Sequence, residues 1–322
     1  MKDKIIKALK IIVPLGIGVY LTWYFFAGLT DNELEQTKNA VFEANYFWVI
    51  LSLVVSFLSH LSRAVRWRFL LEPMGYKVSL SNAYHSVMSG YVINFTVPRS
   101  GEFARAGLLT TYESVPFEKG FATIVVERVI DVLMLGAIVF VAGILQTDSE
   151  AFKEITATEG GGTNSGYYLL LIIGGIIMLS IVGILYRLNA KFRTFFIEKL
   201  KGFWEGLKTV WTAEKKWLYV AHTFFIWFCY VIGIWIFAQA FEETKDMSIA
   251  CVFGAFVVGA AAIALLPGGI GAYPTWITAV LLMYGMDFPA YGIFIWVVQT
   301  ALIVVLGLIS LFLIQRKPKV NG

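Results

Sequence analysis

Asn94-Phe-Thr-Val-Pro98-Arg99-Ser100-Gly101-Glu102-Phe-Ala-Arg105 interrupts an apolar stretch of chain with a proline, a glycine, two arginines and a carboxylate. Apolar sequence lies on both sides of it, across residues 80–119. Proline removes a backbone donor and clashes with the preceding turn, and glycine admits backbone angles closed to other residues. The segment therefore reads as two short helices joined at a break. A second break, Pro267-Gly-Gly-Ile-Gly271, divides the apolar segment 249–287 in the same way. Each segment is expected to form a helical hairpin. Broken backbone at membrane depth is tolerated only where protein or a water-filled cavity satisfies its polar groups. The two tips are therefore expected to be buried together or to line a cavity.

The chain around these breaks is strongly apolar. Of 322 residues, 58% are hydrophobic and 15% charged, and the mean hydropathy is +0.73. A soluble domain needs more polar cover. Crossing a hydrocarbon core of about 30 Å takes about 20 apolar residues. Runs that serve as spans are 11–29, 42–61, 121–146, 167–186, 217–241, 249–266 and 291–314. The fold class is an all-α integral membrane protein of about 7–8 transmembrane helices plus re-entrant or broken helical hairpins. Lys2, Lys4, Lys7 and Lys10 precede the first run, as in a signal peptide. That run exceeds an h-region of roughly 7–15 residues and ends without an A-x-A cleavage pattern, so it reads as a retained span.

Loop charge sets the expected topology. Lys and Arg concentrate at the N-terminus, at Arg63, Arg66, Arg68 and Lys77, between residues 187 and 216, and at Arg316, Lys317 and Lys319. The positive-inside rule places these segments, with both termini, on the cytoplasmic side. Loops with Asp31, Glu33, Glu35 and Glu43, with Asp148 to Glu159, and with Glu242 to Asp246 are poor in Lys and Arg and belong outside. Counting crossings then makes both broken segments return to the side they entered from. The order becomes span, span, hairpin from inside, span, followed by span, span, hairpin from outside, span. The single transmembrane domain, 1–322, thus divides into inverted half-repeats of about 1–146 and 167–314, an arrangement used by transporters with a site near the midplane. A helix crossing at either broken segment would instead put a basic stretch outside.

Charge inside such a domain is costly and marks function by default. Arg99 and Arg105, with Ser100, Gly101 and Asn94, form a candidate anion site at the first break, most naturally for a lipid phosphate. Arginine grips phosphate through its planar fork, glycine allows close backbone approach, and a helix restarting after Pro98 presents free N–H groups. The competing reading makes residues 98–105 a cytoplasmic loop whose arginines touch headgroups from the surface. Glu127, Arg128 and Asp131 follow in the next span. Glu127 and Asp131 share a helix face, where with Glu102 they hold the arginines or relay protons; alternatively Arg128 and Asp131 form an ion pair at the membrane edge. Pro98 and the second break, Pro267, Gly268, Gly269, Gly271 and Tyr273, are candidate gates, or sites of tight helix packing.

Other features read more plainly. Arg63, Arg66 and Arg68 read as cytoplasmic anchors to anionic lipid, with Trp67 in an interfacial belt. Residues 189–212 read as an amphipathic cytoplasmic linker helix, with Phe192, Phe196, Leu200, Phe203, Leu207 and Val210 on one face. Cys229 and Cys251 lie in apolar runs and suggest no disulfide, and His60, His85 and His222 lack ligand spacing. No metal site or cofactor and no nucleic-acid partner is expected. The glycine-rich face 254–259 packs as readily within a chain as between chains, so a homo-oligomer is open.

As a set, Arg63-x-x-Arg66-Trp67-x-x-Leu70-Leu71, Asn94-x-x-x-Pro98-Arg99-x-Gly101-Glu102-x-x-Arg105, Glu127-Arg128-x-x-Asp131 and Pro267-Gly-Gly-Ile-Gly271 resemble the lysylphosphatidylglycerol synthase transmembrane-region family. These are flippase-like proteins. The resemblance implies that in bifunctional members a membrane domain moves aminoacylated phosphatidylglycerol while a separate soluble domain performs the aminoacyl transfer. The sequence ends at Gly322, which leaves the expectation of a stand-alone membrane domain that is not an enzyme. It departs from many relatives at Tyr273-Pro274, where they carry a glutamate after the glycines. The expected function is translocation of an anionic phospholipid or polyprenyl phosphate between leaflets of a bacterial inner membrane. Two other readings are a membrane-embedded transferase acting on a lipid-linked substrate and a noncatalytic subunit partnering a lipid-modifying enzyme. The six aspartates are nowhere adjacent, which disfavours a Mg²⁺-dependent transferase.

Overall fold

A computed structural model describes residues 26–96, 100–147 and 210–316, with the single positions 23, 194, 204 and 208. The described elements are helical: α1 (Asp31–Glu43), α2 (Tyr46–Leu71), α3 (Leu80–Thr96), α4 (Gly101–Glu113), α5 (Phe117–Thr147), α6 (Lys216–Ala238), α7 (Ile249–Leu265), α8 (Ala272–Met283) and α9 (Pro289–Gln315). Short 3₁₀ turns occupy Glu72–Met74 and Pro267–Gly269. The chain is a membrane protein. Among the described residues, four helices are long and apolar enough to cross a bilayer: Tyr46–Met74, Phe117–Gln146, Lys216–Ala238 and Pro289–Gln315. Only 11% of the most apolar window of the second is buried, so its Val132, Leu133, Phe140 and Ile144 face outward, as lipid-facing side chains do. The expected span 167–186 and most of 11–29 and of the linker helix 189–212 lie outside the described residues.

Both broken segments form antiparallel pairs. In the first, Glu113 at the end of α4 accepts hydrogen bonds from Ser79 and Asn82 at the start of α3, while Asn94 near the end of α3 meets Gly101 at the start of α4. In the second, Gly254 lies against Val280 and Gly259 against Tyr273, so α8 returns along α7. At 17, 13, 17 and 12 residues, α3, α4, α7 and α8 rise roughly 18–26 Å, short of a bilayer core.

Two readings are revised. The acidic stretch 31–43 is helix rather than loop. Asp31 and Glu35 favour the start of a helix, and α1 packs on α9 with Ala40 buried. The expected span 42–61 runs on as helix through Arg63, Arg66 and Arg68. Arg63, Arg66 and Arg68 therefore stand on the last turns of α2, not in a loop, and only Lys77 lies beyond it.

Helices α2 and α6 pack together antiparallel. The Asn45 N–H donates to Ala240 O at one end, and Lys215 Nζ reaches Glu72 Oε2 at 2.6 Å at the other. Helix α3 packs on α9 and α7 on α5; α4 packs on α5 and α8 on α9. One apolar core gathers Ala44, Phe237, Phe241, Cys251, Tyr291 and Phe294 at the Asn45 end. A second gathers Trp67, Leu71, Val87, Ala106, Leu109 and Ile124 at the opposite end, where the charges converge.

A buried arginine and carboxylate cluster beside the first break

Helical periodicity sets up two matching stripes. Arg63, Arg66 and Trp67 fall on one face of α2 at i, i+3 and i+4, and Thr123, Glu127 and Asp131 recur every four residues on α5. Asp131 bridges two arginines, taking Arg63 Nη1 on Oδ2 and Arg66 Nη2 on Oδ1, both at 3.0 Å. Glu127 lies 2.7 Å from Arg105 Nη2 on α4 and 3.6 Å from Arg66 Nη2. Helix α6 completes the shell: Thr223 Oγ1 accepts from Arg66 Nη1 at 3.1 Å, and the Tyr230 hydroxyl accepts from Arg63 Nη2 at 3.4 Å. The Arg105 guanidinium lies 3.7 Å from the centre of the Trp67 ring, and Trp67 Nε1 donates to Thr123 Oγ1 at 2.8 Å.

The cluster is almost closed to its surroundings. Arg63, Arg66 and Arg105 are 4%, 0% and 5% exposed, Glu127 1% and Asp131 8%. Three guanidiniums thus meet two carboxylates, leaving one positive charge in excess. Burial of that kind stands only when the charges are paired and hydrogen-bonded. Several of its atoms make no hydrogen bond: Nε of Arg63, Arg66 and Arg105, and both Glu127 oxygens, whose ion pairs lack hydrogen-bond alignment.

Beside the cluster a small recess is lined by Val87, Gly90, Tyr91, Asn94, Gly101, Glu102, Arg105 and Arg128. Two of these lining residues pair, Arg128 Nη2 donating to Glu102 Oε1 at 2.8 Å, and Arg128 Nη1 is 3.7 Å from Asp131. Arg128 and Asp131, the alternative i,i+3 pair, are thus in contact, but Asp131 is bound more closely by Arg63 and Arg66. Asn94 Oδ1 accepts from the Gly101 N–H at 2.7 Å, and Ser100 holds the N-cap position of α4. A Cβ on Gly90 would stand 2.8 Å from Gly101 O, and one on Gly101 would strike Gly90 O and the Asn94 amide. The absent side chain at Gly101 therefore brings α4 against α3. Pro98 and Arg99 lie outside the described residues.

The second break meets the first. Gly268, Gly269 and Gly271 have φ of 62°, 69° and 74°, the left-handed region in which glycine carries no penalty. A Cβ on Gly268 would come within 2.5 Å of the Phe95 ring, so the two tips touch. Trp296 Nε1 donates to Gly268 O at 2.8 Å and anchors the turn at Pro267 to α9. Tyr273 packs on Gly259, close enough that a Cβ there would stand 2.8 Å from its ring.

Arg63 and Arg66 are not surface anchors, because Asp131 and Glu127 supply buried counterions that no single segment reveals. Trp67 is 0% exposed and supports Arg105 rather than an interfacial belt. Thr223 and Tyr230 were not marked by the sequence at all. The complementary spacing of 63, 66 and 67 on one helix and 123, 127 and 131 on another was the available signal for the pairing.

A family model described as the lysylphosphatidylglycerol synthase TM region matches residues 11–314. The chain is 32% identical over 101 residues to a UPF0104 membrane protein of Methanocaldococcus jannaschii, a match covering 30% of either chain. It is 22% identical over 282 residues to a UPF0104 membrane protein of Methanothermobacter thermautotrophicus, covering 81% of each. It is 24% identical over 186 residues to glycosyltransferase AglD of Haloferax volcanii, covering 53% of this chain and 30% of that one. No solved structure matches.

Proposed function

The chain belongs to the lysylphosphatidylglycerol synthase TM-region family, and from that premise we propose that it moves an anionic lipid, a phospholipid or a polyprenyl phosphate, between the leaflets of the cytoplasmic membrane. The observation that carries this reading is the excess guanidinium charge buried beside the first break, next to a recess bordered by Arg105 and Arg128. A phosphate presented there completes the charge balance and gains charge-assisted hydrogen bonds.

The architecture supports transport rather than static binding. We read α3/α4 and α7/α8 as re-entrant hairpins, one from each side, because their helices are short and their tips touch. Exchanging α2 with α6, α3/α4 with α7/α8 and α5 with α9 maps the main packing pairs onto one another, and α2 runs antiparallel to α6. Both observations favour inverted halves, with α2 and α6 at the axis. Rocking one half on the other would expose the contact between the tips to each side in turn. The basic end of α2, and with it the cluster, then faces the cytoplasm.

The likeness to a protein named glycosyltransferase favours one second reading, a membrane-embedded transferase on a lipid-linked substrate. Proteoliposomes carrying fluorescent phosphatidylglycerol or a fluorescent polyprenyl phosphate separate the two. The expected result is transfer of label between leaflets, slowed about tenfold or more by Arg105→Gln and by Arg128→Gln, as loss of a charge-assisted hydrogen bond implies. If neither lipid moves, the translocase reading fails; product formation without movement replaces it with the transferase.

A further inference from the structure

The contact between Glu102 and Arg128 has the form of an internal plug in the anion recess. Glu102 stands in the first turn of α4, where the helix dipole favours negative charge. One of its oxygens takes Arg128 Nη2 at 2.8 Å, and the other is buried with no hydrogen bond. Arg105, 6% exposed at its side chain, borders the same recess, and its Nε likewise has no hydrogen-bond partner. A carboxylate held by one arginine therefore sits beside a second arginine with donor capacity to spare. Arg128 is the accessible member, 46% exposed at its side chain against 21% for Glu102. This pair, unlike those at Asp131 and Glu127, is open enough to exchange partners.

We propose that Glu102 is a stand-in anion that occludes the recess, and that a substrate phosphate enters by displacing it from Arg128 and then accepts from Arg105. This rests on the phosphate reading of the site. The stand-in keeps Arg128 paired between turnovers, while Arg105 is already held by Glu127 at 2.7 Å. It also selects for a ligand with at least the charge of a carboxylate, because a neutral headgroup cannot replace Glu102.

The test measures binding to the full chain in nanodiscs of neutral lipid, with phosphatidic acid as the membrane-borne probe and inorganic phosphate as the free one. Glu102→Gln removes the competing charge and is expected to tighten phosphatidic acid binding about fivefold, the upper range for a partly exposed ion pair. Glu102→Asp, which keeps the charge on a shorter side chain, is expected to gain less than Glu102→Gln. In an Arg128→Gln background Glu102→Gln is expected to bring no gain, since the pair is already broken. A Glu102→Gln protein that binds phosphatidic acid no more tightly than the parent, while Arg105→Gln still weakens binding, overturns displacement and leaves the phosphate site standing. Absence of binding to all forms overturns both. A gain seen equally with inorganic phosphate overturns the lipid as the source of the ligand.

Discussion

At the scale of the residue, the deciding interaction is Asp131 between Arg63 and Arg66. Removing its charge leaves Arg66, which is fully buried, with Glu127 at 3.6 Å as its nearest remaining counter-charge. Asp131→Asn is expected to cost about 3–5 kcal/mol, the usual penalty for orphaning a buried charge. The thermal unfolding of purified protein in detergent measures it. The double variant Arg66→Met with Asp131→Leu is expected to be less destabilised than Asp131→Asn alone, because it removes charge from both sides. Equal or greater loss in the double variant would mean that the pair carries net stability of its own. The sequence placed Glu127, Arg128 and Asp131 in one span and offered Arg99 or Arg105 as their partner, with a membrane-edge pair of Arg128 and Asp131 as the alternative. It did not show Arg63 and Arg66 in the same cluster. Their partners lie 68 and 65 residues away along the chain, and basic residues at the end of an apolar run also suit a membrane surface.

At the scale of the element, the first hairpin depends on the absence of side chains at its crossing. Gly90 and Gly101 face each other with no room for a methyl group, and Asn94 ties the break by accepting from the Gly101 N–H. Gly90→Ala must push α4 off α3, at a cost of about 1–3 kcal/mol for overpacking. Gly107 on the same α4 has open space where its Cβ would be. Gly107→Ala is therefore expected to be neutral or to stabilise by up to about 1 kcal/mol through helix propensity. Comparing the two variants by thermal unfolding isolates the crossing. Comparable losses from both would sink the account of a tight α3/α4 contact. Both breaks were legible in the sequence because proline and glycine act locally. The extent of α2 was not. Its last turns read as loop from charge alone, while the counterions that let the helix continue are supplied by another element.

At the scale of the whole molecule, the opposed ends of α2 and α6 fix what side-specific labelling must find. Glu72 and Lys215 meet at one end, and Asn45 and Ala240 at the other, with 26 residues of α2 between them. That length is roughly 40 Å, enough to separate the two faces of a bilayer. Lys77 follows the first end and Glu243 the second. Free Cys229 and Cys251 are both buried, so single cysteines placed at 77 and 243 are the accessible thiols among the described residues. With the basic end inward, Lys77→Cys is expected to react with a membrane-impermeant maleimide only from the cytoplasmic face, and Glu243→Cys only from the opposite face. Labelling of both positions from one face would mean that α2 and α6 do not cross, and the inverted halves would fall with them. Labelling from opposite faces but in the reverse sense would keep the architecture and turn the arginine cluster outward, making the outer leaflet the side from which an anionic headgroup enters.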